Sequence, residues 1–388
     1  MRVKLNYRSF GSLNFKSSAL GFGTMRLPVI GEDYGKIDEV EAIRVIRYAV
    51  DHGVNYVDTA YPYHGGNSET VVGKALQDGY REKVRVATKM PIWRASSQAD
   101  MDKIFQEQLT KLQTDYIDFY LLHSLNKDHW TKIQNLNALE WAEKNIKDHK
   151  IRYLGFSFHD EYEVFKQIVD GYDGWAFCQI QYNYMDAEYQ AGTKGLKYAA
   201  AKGLGVVVME PIAGGNLAVT PPKEIQSIWD EAETKRTPAE WALQWVWNQP
   251  EVSVVLSGMS TMQQVVENVE SASRSGVDVL TQKEMALISR VKEKYLEYGF
   301  IGCTGCRYCQ PCPHGVVIPE IFALLNQYYV EAKKGQGNKV IDAYNMKVSP
   351  ENGAKRCAKC GECEDKCPQK LPIRKLIASA AGTFEGKK

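Results

Sequence analysis

The stretch "VRVATKM" (Val84–Met90), followed by "ADMDKIFQEQLTKLQTD" (Ala99–Asp115) and "YIDFYLLH" (Tyr116–His123), decides the fold. The two outer pieces are short and nearly continuous in apolar residues, as strands buried on both faces are. The middle piece carries apolar residues at Met101, Ile104, Phe105, Leu109 and Leu112, the stripe of an amphipathic helix. The three form one strand–helix–strand unit.

Working outward, the same alternation repeats. Towards the N-terminus lie "SALGFGTMRL" with "DEVEAIRVIRYAVDHG", and "NYVDTAY" with "SETVVGKALQDG". After Tyr116–His123 come "LNALEWAEKNIKDHK", then "IRYLGFSFH" with "EYEVFKQIVDGY" and "AFCQIQYN" with "GTKGLKYAAAKG". "GVVVMEP" with "TPAEWALQWVWNQ" and "VSVVLSGM" with "TMQQVVENVESAS" complete eight units. Helices close on Gly or Asn. Strict alternation over about 250 residues predicts an α/β fold, a (β/α)8 TIM barrel. A doubly wound sheet would place G-x-G-x-x-G after its first strand. Here the run is "GFGTMR", with Arg26 where the third glycine would stand. A short segment before the first unit is compatible with a hairpin.

The alternation stops at "TQKEMALISRVKEKYLEYG", which reads as a connecting helix. Beyond it, "IPEIFALLNQYYVEAKKG" and "NKVIDAYNMKV" are helix-like and lie between two cysteine runs. The expected organisation is a barrel over 1–280, a connecting helix over 281–300 and a small all-α ferredoxin-like iron–sulfur domain over 301–388.

The 388 residues carry a formal net charge of +1, so no long-range field argues for nucleic acid or an anionic membrane. The N-terminus has no apolar h-region, and no apolar run is long enough to span a bilayer. The expectation is a cytoplasmic protein with no nucleic-acid and no membrane partner.

Barrel active sites form at the C-terminal ends of the strands. The second strand ends in "VDTAYPYHGG", giving Asp58, Tyr61, Tyr63 and His64; the third gives Lys89, the fourth His123, the fifth Ser157 and His159, and the sixth Gln179, Tyr182 and Asn183. Asp, Tyr, Lys and His at one mouth make a proton-transfer site. An ammonium stabilises tyrosinate, and an aspartate keeps that ammonium charged and oriented. An imidazole can then hold a carbonyl oxygen. Such a set suits protonation of a developing alkoxide while a hydride arrives from elsewhere. His64 and His159 read as loop residues, Cys178 as a small buried hydrophobe, and "EWALQWVWNQ" as helix-to-barrel packing. Trp93, Trp130, Phe158 and Tyr184 are pocket candidates by position alone.

"GVNYVDTAYPYHGG", "ATKM" and "DFYLLH" resemble the signature segments of the aldo-keto reductases over about the first 280 residues. That family is one of nicotinamide-dependent barrels interconverting aldehydes or ketones and alcohols. The resemblance implies a catalytic tetrad of Asp58, Tyr63, Lys89 and His123, with Tyr63 as general acid. It implies a cofactor, NADP(H) or NAD(H), held through Thr24, Met25, Ser157, Gln179, Gly214, Gly215, Ser260, Gln264 and Asn268. Phe158 stands where the family usually has Asn. Gly258 and Gln264 stand where many NADPH-preferring members have Lys and Arg, and a 2′-phosphate prefers a cationic fork.

Eight of the 9 cysteines fall in "CTGCRYCQPCPHG" (Cys303–Gly315) and "CAKCGECEDKCPQ" (Cys357–Gln369). The second run, C-x₂-C-x₂-C-x₃-C-P, is that of bacterial ferredoxins. There three thiolates hold one cubane face and the fourth reaches the other cluster. This predicts crossed ligation of two [4Fe-4S] clusters. Cys303, Cys306, Cys309 and Cys367 would hold one, and Cys357, Cys360, Cys363 and Cys312 the other. The first run is one residue shorter before its last cysteine. Zinc is the rival, although structural zinc uses well-separated C-x-x-C pairs.

Nicotinamide exchanges two electrons and a cubane one, and no flavin signature is present to convert between them. Three functions are therefore weighed. The first is a carbonyl reductase acting on a small-molecule carbonyl or alcohol, with clusters of structural, sensing or electron-transfer role. The second is an oxidoreductase fed by a ferredoxin-type electron partner. The third is a non-catalytic nicotinamide-sensing module.

Overall fold

The computed structural model describes residues 4–31 and 33–386. They pack into two units, Met1–Pro211 with Ala242–Leu280, and Ile212–Trp241 with Thr281–Lys388.

The first unit opens with an antiparallel hairpin, β1 (Tyr7–Phe10) and β2 (Leu13–Ser18). Eight parallel strands follow and close into a barrel: β3 (Leu20–Gly23), β4 (Tyr56–Asp58), β5 (Arg85–Met90), β6 (Ile117–Leu125), β7 (Ile151–Phe158), β8 (Phe177–Gln181), β9 (Gly205–Met209) and β10 (Val252–Gly258), which pairs with β3. This is the TIM barrel that the alternation predicts. Helices follow the strands: α1 (Glu39–Asp51), α2 (Ser68–Ala75), α3 (Gln98–Leu112), α4 (Lys127–Asn135), α5 (Ala138–Lys147), α6 (Tyr162–Asp170) and α7 (Gly192–Ala201). Side chains cap several of them. Asp38 accepts from the Glu41 amide, Ser97 from Asp100 and Asn126 from His129, each satisfying an orphan donor of the first turn.

The barrel interior is filled, not hollow. Ala87, Leu121, Phe177, Val207 and Val254 point inward, and Phe10 of the hairpin packs on Phe119 with ring centroids 4.7 Å apart. Phe10 is fully buried, so its deletion should cost on the order of 3–5 kcal/mol.

The second unit holds α8 (Lys223–Trp229) and α11 (Gln282–Tyr298), with α9 (Pro238–Trp247) beginning in it and α10 (Met262–Ser273) belonging to the first unit. Helix α11 starts on a capping box, Thr281 with Glu284, and ends at Gly299 in the left-handed conformation. Then come α12 (Ile318–Lys333), α13 (Gly337–Lys347), the single turn α14 (Glu362–Asp365) and α15 (Ile373–Phe384). Ile321, Phe322, Leu325, Val340, Tyr344, Ile377 and Phe384 form a compact core, and the cysteine segments pack on it. Among the described residues no helix is long and apolar enough to cross a membrane.

Candidate functional site

Strand register brings the polar residues of the first unit together. Asp58 pairs with Ala87, and Lys89 lies two residues further on, so both Ala87 and Lys89 face inward. Lys89 pairs with Leu121, and His123 is again two residues on. Ser157 pairs with Gln179 on the neighbouring strands. The period of two thus places Lys89, His123, Ser157 and Gln179 on one inner face at the C-terminal end.

The Lys89 amine uses all three donors. It gives to Asp58 Oδ1 at 2.6 Å, Asp58 Oδ2 at 2.8 Å and the Thr59 carbonyl at 2.7 Å. Both side chains are buried. Burial pulls Lys89 below the usual ammonium range and pushes Asp58 up, while their mutual contact opposes both shifts. The double contact leaves Lys89 no freedom to rotate away. Tyr63 opens a single turn after β4, and its ring centroid lies 5.1 Å from Lys89 Nζ. The Tyr63 and His123 rings meet edge-on at 6.3 Å, and Trp93 packs on His123 at 5.0 Å. Burial holds His123 well below the ordinary imidazole range, helped by the Lys89 charge. The imidazole is therefore neutral near pH 7. The four residues Asp58, Tyr63, Lys89 and His123 stand together.

Other expected residues differ in how they are engaged. Gln179 is buried, and its Oε1 has no hydrogen-bond partner among the described residues. An orphaned buried carbonyl at the barrel mouth fits a carboxamide donor. Ser157 Oγ accepts from the Ser124 amide at 2.7 Å. Thr24 Oγ1 donates to the Asp58 carbonyl at 3.0 Å, and the Met25 carbonyl accepts from Tyr34 at 3.4 Å. The Ser260 amide donates to Gln264 Oε1 at 2.8 Å, and Asn268 Nδ2 to Ser257 Oγ at 3.0 Å. His64 is structural: it accepts from the Leu27 amide at 3.1 Å and donates to the Tyr34 carbonyl at 2.7 Å. Phe158 packs on Phe165 of α6, and Trp130 on Trp175, so both face the helix layer and not the mouth. Cys178 is buried, and burial pushes its thiol up.

Sequence reasoning missed three features. The stem of Arg26 lies 3.1–3.3 Å from where a Cβ on residue 258 would stand, a tight approach along Gly258. The Arg26 stem thus runs along a Gly258–Gln264 segment that itself has no cation, and the Arg26 carbonyl accepts from Ser260 Oγ at 2.8 Å. Behind Lys89, Gln108 donates to the Lys89 carbonyl at 3.0 Å and to Glu69 at 2.7 Å, while Thr88 also donates to Glu69 at 2.6 Å. The available signal was a glutamine on the apolar stripe of α3. Helix α15 also went unread, although Ile373, Ile377, Ala380 and Phe384 mark its buried face.

In the second unit, Gly214 and Gly215 take φ of 69° and 105°. A Cβ on Gly214 would stand 2.2 Å from the Thr304 carbonyl oxygen, and Asn216 Nδ2 donates to the Cys303 carbonyl at 2.9 Å. The cysteines line two adjoining cavities. One is walled by Cys303, Cys306, Cys309 and Cys367, the other by Cys312, Cys357, Cys360 and Cys363. Cys309, Ile318 and Ile373 border both. Burial pushes the Cys309 thiol up to about 12, and the neighbouring Cys306, Cys303 and Cys367 add to it. Burial raises Cys363 likewise, with Cys357 and Cys312 beside it. Thiols so placed ionise together only around a cation. Among the described residues no three such side chains converge on the point a single ion would occupy. Thiols ringing a cavity fit a cubane better than a zinc ion, which needs its sulfurs about 2.3 Å from one centre.

Comparison with known proteins agrees with this geometry. The aldo/keto reductase family profile matches residues 19–293, and a 4Fe-4S dicluster domain profile matches residues 302–371. The chain is 28% identical to L-galactose dehydrogenase of Arabidopsis thaliana, over 75% of this chain and 96% of that protein. Among solved structures, the holo form of an aldo-keto reductase from Bacillus halodurans superposes with a TM-score of 0.61 at 28% identity, covering 74% of this chain and 96% of the other. An aldo-keto reductase from Klebsiella pneumoniae in complex with NADPH gives a TM-score of 0.59 at 26% identity, covering 74% and 95%. An eight-stranded barrel with these segments, followed by two cysteine-lined cavities, makes this chain a member of the aldo/keto reductase family that carries a C-terminal 4Fe-4S dicluster domain.

Proposed function

We propose that the barrel is a nicotinamide-dependent reductase of small aldehydes or ketones, working also in the alcohol-oxidising direction. The observation that carries this is the placement of Tyr63 beside a Lys89 locked by Asp58 and the Thr59 carbonyl. A bound nicotinamide supplies the hydride. Tyr63 gives its phenolic proton to the carbonyl oxygen as charge develops there. Lys89 stabilises the resulting tyrosinate, Asp58 fixes Lys89, and neutral His123 orients the carbonyl oxygen. Gln179 would take the carboxamide through its open Oε1, with Ser157 beside it. Thr24, Met25, Gly214, Gly215, Ser260, Gln264 and Asn268 complete the proposed cofactor contacts. NADPH is the first cofactor to try, because the Klebsiella relative is in complex with it and Arg26 lies beside Gly258. The test is oxidation of NADPH and NADH by anaerobically purified protein across a panel of aldehydes and ketones. No turnover with any of them, alongside a correctly folded holoprotein, would remove the reading.

The cysteines are proposed to hold two [4Fe-4S] clusters. Cys303, Cys306, Cys309 and Cys367 would hold one, and Cys312, Cys357, Cys360 and Cys363 the other. The membership of the two cavities supports this crossing. When bound, such a cluster exchanges single electrons. Iron, sulfide and zinc analysis of the anaerobic protein tests it.

A further inference from the structure

The second cavity opens towards solvent at Cys360, which is exposed where the other seven cysteines of the two runs are half-buried. The surface around that opening has a marked charge. From Lys355 to Lys375 there are seven Lys and Arg residues against three acidic ones, a net of +4. The whole chain is only +1, so everything outside this segment sums to −3. All seven cations are exposed. Lys359, Lys366 and Arg374 border the cavity itself. Lys366 and Arg374 share their charge with Glu362 and Glu364. Lys355, Lys359 and Lys375 make no ion pair among the described residues.

A charge run is most often a solvated face. This one includes Lys359, Lys366 and Arg374, which border the cavity on which the exposed Cys360 lies. Electron exchange between proteins needs a short distance from one redox centre to the other, and the Cys360 edge offers it. The two cavities share the wall of Cys309, Ile318 and Ile373, so a centre held beside Cys360 would adjoin the one held by Cys303, Cys306, Cys309 and Cys367. The Cys303 carbonyl, on the other cavity, in turn accepts from Asn216 Nδ2.

We propose that this exposed basic segment, Lys355 to Lys375, with Cys360 exposed within it, docks a small acidic one-electron carrier protein of the ferredoxin kind. The proposal rests on the cluster ligation given above. One electron would leave the reduced carrier and enter the centre beside Cys360; the carrier would be oxidised by one electron, the centre reduced by one, and no proton or bond would move. A small face governed by charge gives a transient complex, in which complementarity sets the encounter rate more than the affinity. The occupant must be anionic, because the face is cationic. It must be a single-electron carrier, because a cluster accepts electrons singly.

The experiment uses the anaerobic holoprotein and a pre-reduced acidic bacterial ferredoxin in stopped flow. Reduction should follow second-order kinetics and slow about tenfold or more between 0.05 and 0.5 M salt. The double variant Lys355→Glu with Lys375→Glu should slow it roughly tenfold at low salt. Its iron content, its absorbance and its reduction by dithionite should match the parent. Clusters present, with a ferredoxin rate that is the same in the variant and independent of salt, overturn the docking proposal and leave the ligation standing. Protein that holds no iron overturns both. Salt-sensitive binding to phosphatidylserine vesicles or to duplex DNA that the double variant abolishes, with the ferredoxin rate unaltered, assigns the face to another partner and overturns the proposal.

Discussion

Lys89 Nζ lies 2.6 Å from Asp58 Oδ1, and neither side chain reaches solvent to any useful extent. The pair is expensive to break from one side. Lys89→Met would leave a buried carboxylate with no counter-charge and should cost about 3–5 kcal/mol of stability. Adding Asp58→Asn should restore much of that stability by removing the orphaned charge. Turnover should stay roughly a hundred- to ten-thousandfold down in both variants. Thermal unfolding read beside kcat separates the two roles. Recovery of activity together with stability would show that the pair is only structural.

The imidazoles of buried His123 and half-buried His159 set an acid limit on stability. Burial lowers His123 well below 6.5 and lowers His159 to about 4, so the folded state takes up these protons later than the unfolded state does. Stability is then full above the unfolded value of about 6.5 and falls as pH drops from there towards about 4. His159→Gln should flatten that part of the curve in denaturant titrations at pH 7, 6 and 5. The same burial predicts that kcat at pH 6.5 shows no inflection from His123. An inflection there that disappears in His123→Gln would contradict the neutral-imidazole account.

Crossed ligation makes a prediction that an uncrossed arrangement does not. The wild-type chain should hold about eight irons as two cubanes. Cys303→Ala with Cys367→Ala strikes one site twice, so about four should remain. Cys357→Ala with Cys367→Ala strikes both sites, so little or none should remain. Were each sequence run to serve its own cluster, these two outcomes would be exchanged. Iron analysis of the two double variants decides the matter.

The neighbouring glycines at 214 and 215 should respond differently to alanine. Both have positive φ, so each replacement costs about 1 kcal/mol or more in backbone strain. Beyond that, the Gly214→Ala methyl would stand 2.2 Å from the Thr304 carbonyl oxygen, whereas nothing lies within 4 Å of one on Gly215. Gly214→Ala should therefore displace the Cys303–Thr304 segment and lose iron from that site. Gly215→Ala should keep it. Equal iron content in the two variants would show that the close approach does not matter.

Much of this was readable in the residues. The strands were legible because a barrel strand is buried on both faces and so is apolar without interruption. The proximity of Asp58, Lys89 and His123 was legible because they sit at strand ends, where position alone gives direction. The cysteine runs were legible because their spacing repeats, and a 4Fe-4S dicluster domain profile matches the same stretch. What escaped depends on long-range packing. Helices α4 and α8 are short and polar, with little stripe to read. Phe158 looked like a pocket residue by sequence position, but strand parity turns it outward against Phe165. The approach of Arg26 to Gly258 joins the turn after β3 to the end of β10, which are neighbours only because the barrel closes. Gln108 meets Lys89 only once α3 has packed on β5.

The central claim is that Tyr63 delivers the proton at this site. Tyr63→Phe removes one oxygen and keeps the ring that packs near Lys89 and His123. The measurement is NADPH consumption with the best aldehyde of the panel, run beside cofactor affinity from nucleotide fluorescence. The account predicts a fall in kcat of roughly a hundred- to ten-thousandfold with NADPH affinity preserved. Turnover by Tyr63→Phe equal to that of the parent would contradict it.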